Sequence, residues 1–156
     1  MKGENMKVKG WFVIDHYDKD GNLIEQVCSP NVITNNGKAE VAGLIVSDVS
    51  GVTAFDYIAI GTGTTTPSAT NTSLVSEITS GGGARAAVTG SRVTTSVTND
   101  TAQFQVTFNF TSSFAVTESG VFNASSGGKM LCRQTFSAIN VSNGDSLQVT
   151  WKVQVS

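Results

Sequence analysis

The chain has 156 residues, a formal net charge of −2, and charged side chains at 14% of positions against 39% hydrophobic ones. That length suits one domain with a real core, and 10 basic and 12 acidic residues scattered along it exclude the clustered cations of a nucleic-acid binder. The polar weight falls on 19 Thr, 18 Ser and 16 Gly with only two Pro, a composition of strands and tight turns.

The N-terminal stretch MKGENMKVKGWFVID is charged at its start and never reaches the apolar core of a secretory leader. No run approaches the roughly 18 apolar residues of a membrane span, so no membrane partner is expected. Met1 to Lys9 reads as a short arm ahead of a single β-rich domain over residues 10–156, with Lys2, Met6, Lys7 and Lys9 as candidate contact residues. Met6 to Val27 then reads as two extended runs joined at DKDG, because Gly21 after Asp20 takes positive φ without steric cost. Asp18 and Asp20 imitate the start of a calcium loop, but position twelve from Asp18 is Ser29 where a Glu is required, so a hairpin is expected.

PNVITNNGKAEVAGLIVSD predicts the one helix, about 36–46. Asn35 or Asn36 is available as a cap, and Val41, Ala42, Leu44 and Ile45 share one face. FDYIAIG is a short apolar strand, closed by Gly61 and Gly63. The glycines do not make a phosphate loop, since no Gly-Lys pair follows and Thr66 stands where a dinucleotide fingerprint needs its third Gly. TTTPSATNTS is a polar loop whose Thr64, Thr65, Thr66 and Pro67 are candidate inter-subunit contacts, and LVSEI opens the next element. TSGGGARAAVTG is a flexible glycine-rich link carrying Arg85.

The C-terminal half alternates with the period of half-buried antiparallel strands. Phe104, Val106, Phe108 and Phe110 interleave with polar residues, as do Leu147, Val149, Trp151, Val153 and Val155. Glu118 to Phe136 predicts two strands joined through ASSGG, and SNGD at Ser142 is a turn. The expected fold is mainly β: an antiparallel sandwich or barrel-like domain of about eight strands with one short helix.

No chemistry is signalled. His16 is the single histidine, Cys28 and Cys132 lack metal-ligand spacing, no Ser stands in G-x-S-x-G, and the carboxylates are spread singly. No catalytic residue, metal or cofactor is expected, and Cys132, in an apolar run, is expected to be a buried free thiol. Five Asn-x-Ser/Thr sequons, from Asn71 to Asn140, follow from the abundance of these residues.

YIAIGTGTTTPSATNTSLVSEI, and some forty residues later AVTESGVFNASSGGKMLCRQTF and GDSLQVTWKVQV, together with the NVITNNG helix, resemble a pattern of tailed-bacteriophage structural proteins over about residues 30–156. In that pattern LVSE is a helix-like piece. The short chain, without repeats or coiled-coil stalk, is similar to capsid decoration (auxiliary head) proteins, and the pattern is shared with tail-fibre and minor tail proteins. The resemblance implies an oligomer, a homotrimer, that binds the major capsid protein of the mature shell on the capsid exterior and stabilises it after assembly in the host cytoplasm. The lysines of the arm would then meet acidic shell surface. The alternative is a tail-fibre or receptor-binding module, for which Trp11 and Tyr17 are the candidate aromatic platform unless they are core residues.

Overall fold

The computed structural model describes residues 3, 5–46 and 50–156. Among them are ten strands and one helix: β1 (Val8–Tyr17), β2 (Leu23–Pro30), β3 (Val32–Ile33), α1 (Asn35–Ile45), β4 (Tyr57–Gly61), β5 (Ala86–Ala87), β6 (Ser91–Val93), β7 (Thr101–Asn109), β8 (Phe114–Phe122), β9 (Met130–Val141) and β10 (Ser146–Val155). They form two five-stranded antiparallel sheets, ordered β2-β1-β10-β7-β6 and β3-β9-β8-β4-β5. This is the expected mainly-β sandwich, open at its edges and not closed into a barrel.

The first sheet follows the alternation of its strands. Phe12 and Ile14 of β1, Phe104 and Phe108 of β7, and Leu147, Val149, Trp151 and Val153 of β10 face the core. Trp151 is fully buried, and its indole N–H donates to Ser119 Oγ at 3.1 Å, while Ser119 donates in turn to the Ala59 carbonyl at 2.9 Å. That chain satisfies the one polar atom of the largest core side chain and bridges the sheets. Trp11 and Tyr17 lie on the outward-facing positions of β1, outside the core.

The β1–β2 hairpin turns where DKDG predicts it. Asp18 accepts from the N–H groups of Asp20 and Asn22, both at 2.9 Å, and from the Asn22 side chain. β1 itself begins at Val8, inside the segment expected to be an arm. The Lys7 N–H donates to the Ser156 carbonyl and the Ser156 N–H to that of Lys7, so β10 extends its pairing to this end of the chain.

The helix departs from expectation at both ends. Its cap is Thr34, whose hydroxyl accepts from Gly37 N–H at 2.9 Å and donates to the Met130 carbonyl, so the cap also fixes the helix to β9. Gly37 and Glu40 are the buried positions, while Leu44 and Ile45 are 46% and 69% exposed. The helix therefore packs through its start, and its predicted apolar face is only partly used.

Two chemical consequences follow. Cys28 is exposed and Cys132 buried, both unbonded, and burial pushes the Cys132 thiol far up. A thiol reagent is expected to label one cysteine in the native protein and two after denaturation; two native labels would refute the packing of β9. Asp100 accepts from the N–H groups of Val97, Ser96 and Thr95 and from the Gln154 amide, which holds its carboxyl well below the ordinary Asp value of 3.8. A depressed value means stability that is present above the ordinary value and lost as pH falls below it. The Tm gap between wild type and Asp100→Asn is therefore expected to narrow on acidification below pH 3.8, and a constant gap would contradict it.

Candidate functional site

The second sheet is buried on both faces along β4, the later part of β8 and the start of β9. One face meets the first sheet; the other lies under residues 62–85 and holds Ala59, Leu74, Phe122 and Met130 as a second small core. Register places Glu118 opposite Gly61 and Arg133 opposite Gly120, so a carboxylate and a guanidinium share this covered face. Both side chains have no exposure, and Arg133 Nη2 stands 2.7 Å from Glu118 Oε2, with Nε at 3.0 Å.

The pair is the anchor of the loop that follows β4. Glu118 Oε1 accepts from Gly63 N–H at 3.1 Å and Ser76 N–H at 2.7 Å, and Oε2 from Val75 N–H at 3.1 Å. Arg133 donates onward to the Thr65 carbonyl at 3.0 Å and to Asn71 Oδ1 at 3.1 Å. The glycines of IGTG are required by close approach: a β-carbon on Gly61 would stand 2.6 Å from Glu118 Oε1, and one on Gly63 would collide with the same oxygen. Thr62 and Ile78 close the loop as a ladder, through Ser76 and Ile60 carbonyls at 2.8 and 2.9 Å.

A second guanidinium ties down the next segment. Arg85 meets Glu77 through two parallel hydrogen bonds, 2.9 and 2.7 Å, and caps the carbonyls of Ala124 and Gly127. Its guanidinium lies 3.8 Å from the centroid of the Phe122 ring, a stacked cation on an aromatic face. The glycine-rich segment is thus held in place rather than being a loose link. LVSE is not helical either: Glu77 makes an isolated antiparallel bridge to Gly61.

The expected contact residues divide accordingly. Thr64, Thr65 and Thr66 are exposed at the rim and Pro67 is half-buried, with the Thr65 carbonyl engaged by Arg133. In the N-terminal group, Lys2 lies outside the described residues. Met6 is 63% exposed, Lys7 is bound through its backbone to Ser156, and Lys9 stands in β1 opposite Gln154. Among the described residues, no hydrogen bond or ion pair joins these two groups. His16 is buried, with Nε2 3.1 Å from Asp145 Oδ2 and Nδ1 3.8 Å from Glu25 Oε2. The two carboxylates lie on opposite ring nitrogens, so the set does not converge on one point.

Sequence reading missed the Glu118–Arg133 pair because it treated the carboxylates as single. The signal was available in the hairpin: strands folded back about ASSGG bring 118 and 133 onto neighbouring positions of one face.

At the open end of the sandwich lies an apolar groove of about 490 Å³, lined by Val41, Leu44, Phe55, Leu131, Val153 and Val155 among others. Its rim carries exposed Leu44 and Val155, with Ile45 and Val46 following Leu44 out of the helix.

Removing one partner of a buried ion pair strands the other charge. Arg133→Leu is expected to destabilise the fold by about 3–5 kcal/mol and to lower Tm by on the order of 10 °C. Arg92→Leu, at an exposed arginine with no ion pair among the described residues, serves as the control. Equal Tm values for the two variants would refute the anchoring role.

The model of a family described as podophage GP4 fiber I protein gp80 matches residues 44–153, well over half of the chain. No curated protein and no solved structure matches it. The matched region contains β4, its loop, both anchoring arginines, β9, and β10 as far as Val153. The chain therefore belongs to the podophage GP4 fiber I protein gp80 family and is a phage structural protein.

Proposed function

We propose that the chain is a fibre module of a phage virion, working as a homo-oligomer that binds and holds and does no chemistry. The family match carries this reading. The site geometry supports it: Glu118, Glu77, Asp100 and Asp145 all hold the chain's own donors, which is the use a structural protein makes of carboxylates. The apolar end offers the contact between copies. Leu44 and Val155 in its lining, and Ile45 and Val46 next to Leu44, are all 43% or more exposed, and a monomer seldom leaves such a cluster in water.

The capsid-decoration reading draws on the residue pattern, with the major capsid protein as partner, a trimer on the capsid exterior, and shell stabilisation by binding one state of the shell and not another. Copy number decides between the two. Quantitative mass spectrometry of purified virions is expected to find far fewer copies than of the major capsid protein. A ratio near one to one would replace the fibre reading by the decoration reading, and absence from virions would refute both. For the oligomer, native mass spectrometry of the purified chain is expected to show a discrete multimer that Leu44→Asp with Val155→Asp dissociates to folded monomer; a wild-type monomer would refute self-association.

A further inference from the structure

β2 forms one side of the first sheet, and its outer edge pairs with no strand among the described residues. The groups which that edge presents follow from the pairing on its inner side. Lys7 and Ser156 exchange backbone hydrogen bonds, so by alternation the odd-numbered residues of β1 bond to β10. The Asn31 N–H donates to the Gly10 carbonyl at 3.0 Å, so the even-numbered residues bond to β2. Their partners there are Ser29, Val27 and Glu25. The N–H and C=O groups of Cys28 and Gln26 therefore point away from the sheet.

This open edge is bounded at both ends. The register shift between His16 and Tyr17 leaves Ile24 as an extra residue, a bulge that ends the flat pairing at Glu25. Pro30 has no N–H, and its carbonyl accepts from the Gln134 side chain at 2.7 Å. The open segment thus runs from Glu25 to Ser29, with its midpoint at Val27. Edges are commonly guarded against pairing by lysine or by proline within the strand. This segment has neither, and its one charged residue is Glu25.

We propose that β2 pairs antiparallel with β2 of a second copy, about a two-fold axis at Val27. In that register Gln26 faces Cys28 of the second copy and Cys28 faces its Gln26, so every N–H and C=O of these residues finds a partner. The neighbouring two-fold registers do worse. An axis at Gln26 sets Cys28 against the bulge at Ile24, and an axis at Cys28 sets Gln26 against Pro30, which has no N–H to give and a carbonyl already engaged. Charge agrees with the central register, since Glu25 stands opposite Ser29 and no like charges meet. The other sheet edges are strands of two or three residues, so within this chain β2 itself is the edge long enough to serve as partner. So short a pairing buries far less than the roughly 1,000 Å² of a stable interface. It is therefore a weak contact, separate from the apolar end, that forms where copies are crowded together.

Disulfide trapping tests the register. Cys28 is exposed and unbonded, and hydrogen-bonded antiparallel partners stand about 5.5 Å apart at Cα, within the span of a disulfide. Under mild oxidation, wild type mixed with Gln26→Cys/Cys28→Ser is expected to form a mixed dimer. Wild type mixed with Val97→Cys/Cys28→Ser, whose new thiol replaces a side chain 69% exposed outside β2, is expected to do so more slowly by roughly tenfold or more, the gain of a preformed contact over collision. Equal rates in the two mixtures would overturn the proposal, as would wild type cross-linking to itself as fast as the first mixture. Sedimentation of the full chain near millimolar concentration is expected to show association beyond the species present when dilute. Gln26→Pro removes one outward N–H per strand and leaves the bonds to β1 in place, so it is expected to weaken that association by roughly tenfold while unfolding as cooperatively as wild type. Undiminished association in this variant would also overturn the pairing.

Discussion

The Glu118–Arg133 pair is the constraint on which the second sheet depends. A carboxylate without exposure survives only if its charge is met and its lone pairs are filled, and Glu118 receives five donors from three separate places in the chain. Three of those donors are backbone groups of a loop that has little apolar surface of its own. The pair thus adds to the small hydrophobic core beneath residues 62–76, and the loop in turn keeps water from the pair. Leu74, Phe122 and Met130 are buried as a consequence. Arg133 extends the same logic to Thr65 and Asn71, while the Asn35 N–H reaches the Ala69 carbonyl and ties the loop to the helix start.

The two sheets solve burial differently, and their sequences show it. The first has one face in the core and one outward, so β7 and much of β10 alternate. The second is covered on both sides over β4, most of β8 and the start of β9, so β8 is buried continuously from Val116 to Phe122. Polar residues inside such a sheet must each have a stated partner. Thr117 donates to the Gly63 carbonyl, and Ser119 joins Trp151 to Ala59 across the sandwich.

A phage structural protein has to keep its shape while its surface does the work, and this division is visible here. Carboxylates inside are used for holding loops, whereas exposed apolar side chains gather beside the end of α1. Three of the four sheet edges are strands of two or three residues, and β2, with eight, is the long one. Short edges limit uncontrolled pairing between copies.

Sequence by itself determined the fold class, the first hairpin, the strands from Phe104 onward and the buried thiol of Cys132, because each rests on local chemistry: a period of two, an Asp-Gly turn, an apolar run. It also placed the helix within a residue or so, though not its cap, because Thr34 wins over Asn35 only through a contact with β9. What tertiary structure alone decided is everything that joins distant segments. Glu118 and Arg133 are fifteen positions apart and become partners by strand register. Trp11 lies outside and Trp151 inside because β1 offers each face to a different medium. Arg85 is held because Glu77, Phe122 and Ala124 arrive from three elements. Local patterns state which residues want burial; only the packed sheets settle which of them meet, because a charge or a hydroxyl is stable inside only beside the partner that the fold delivers.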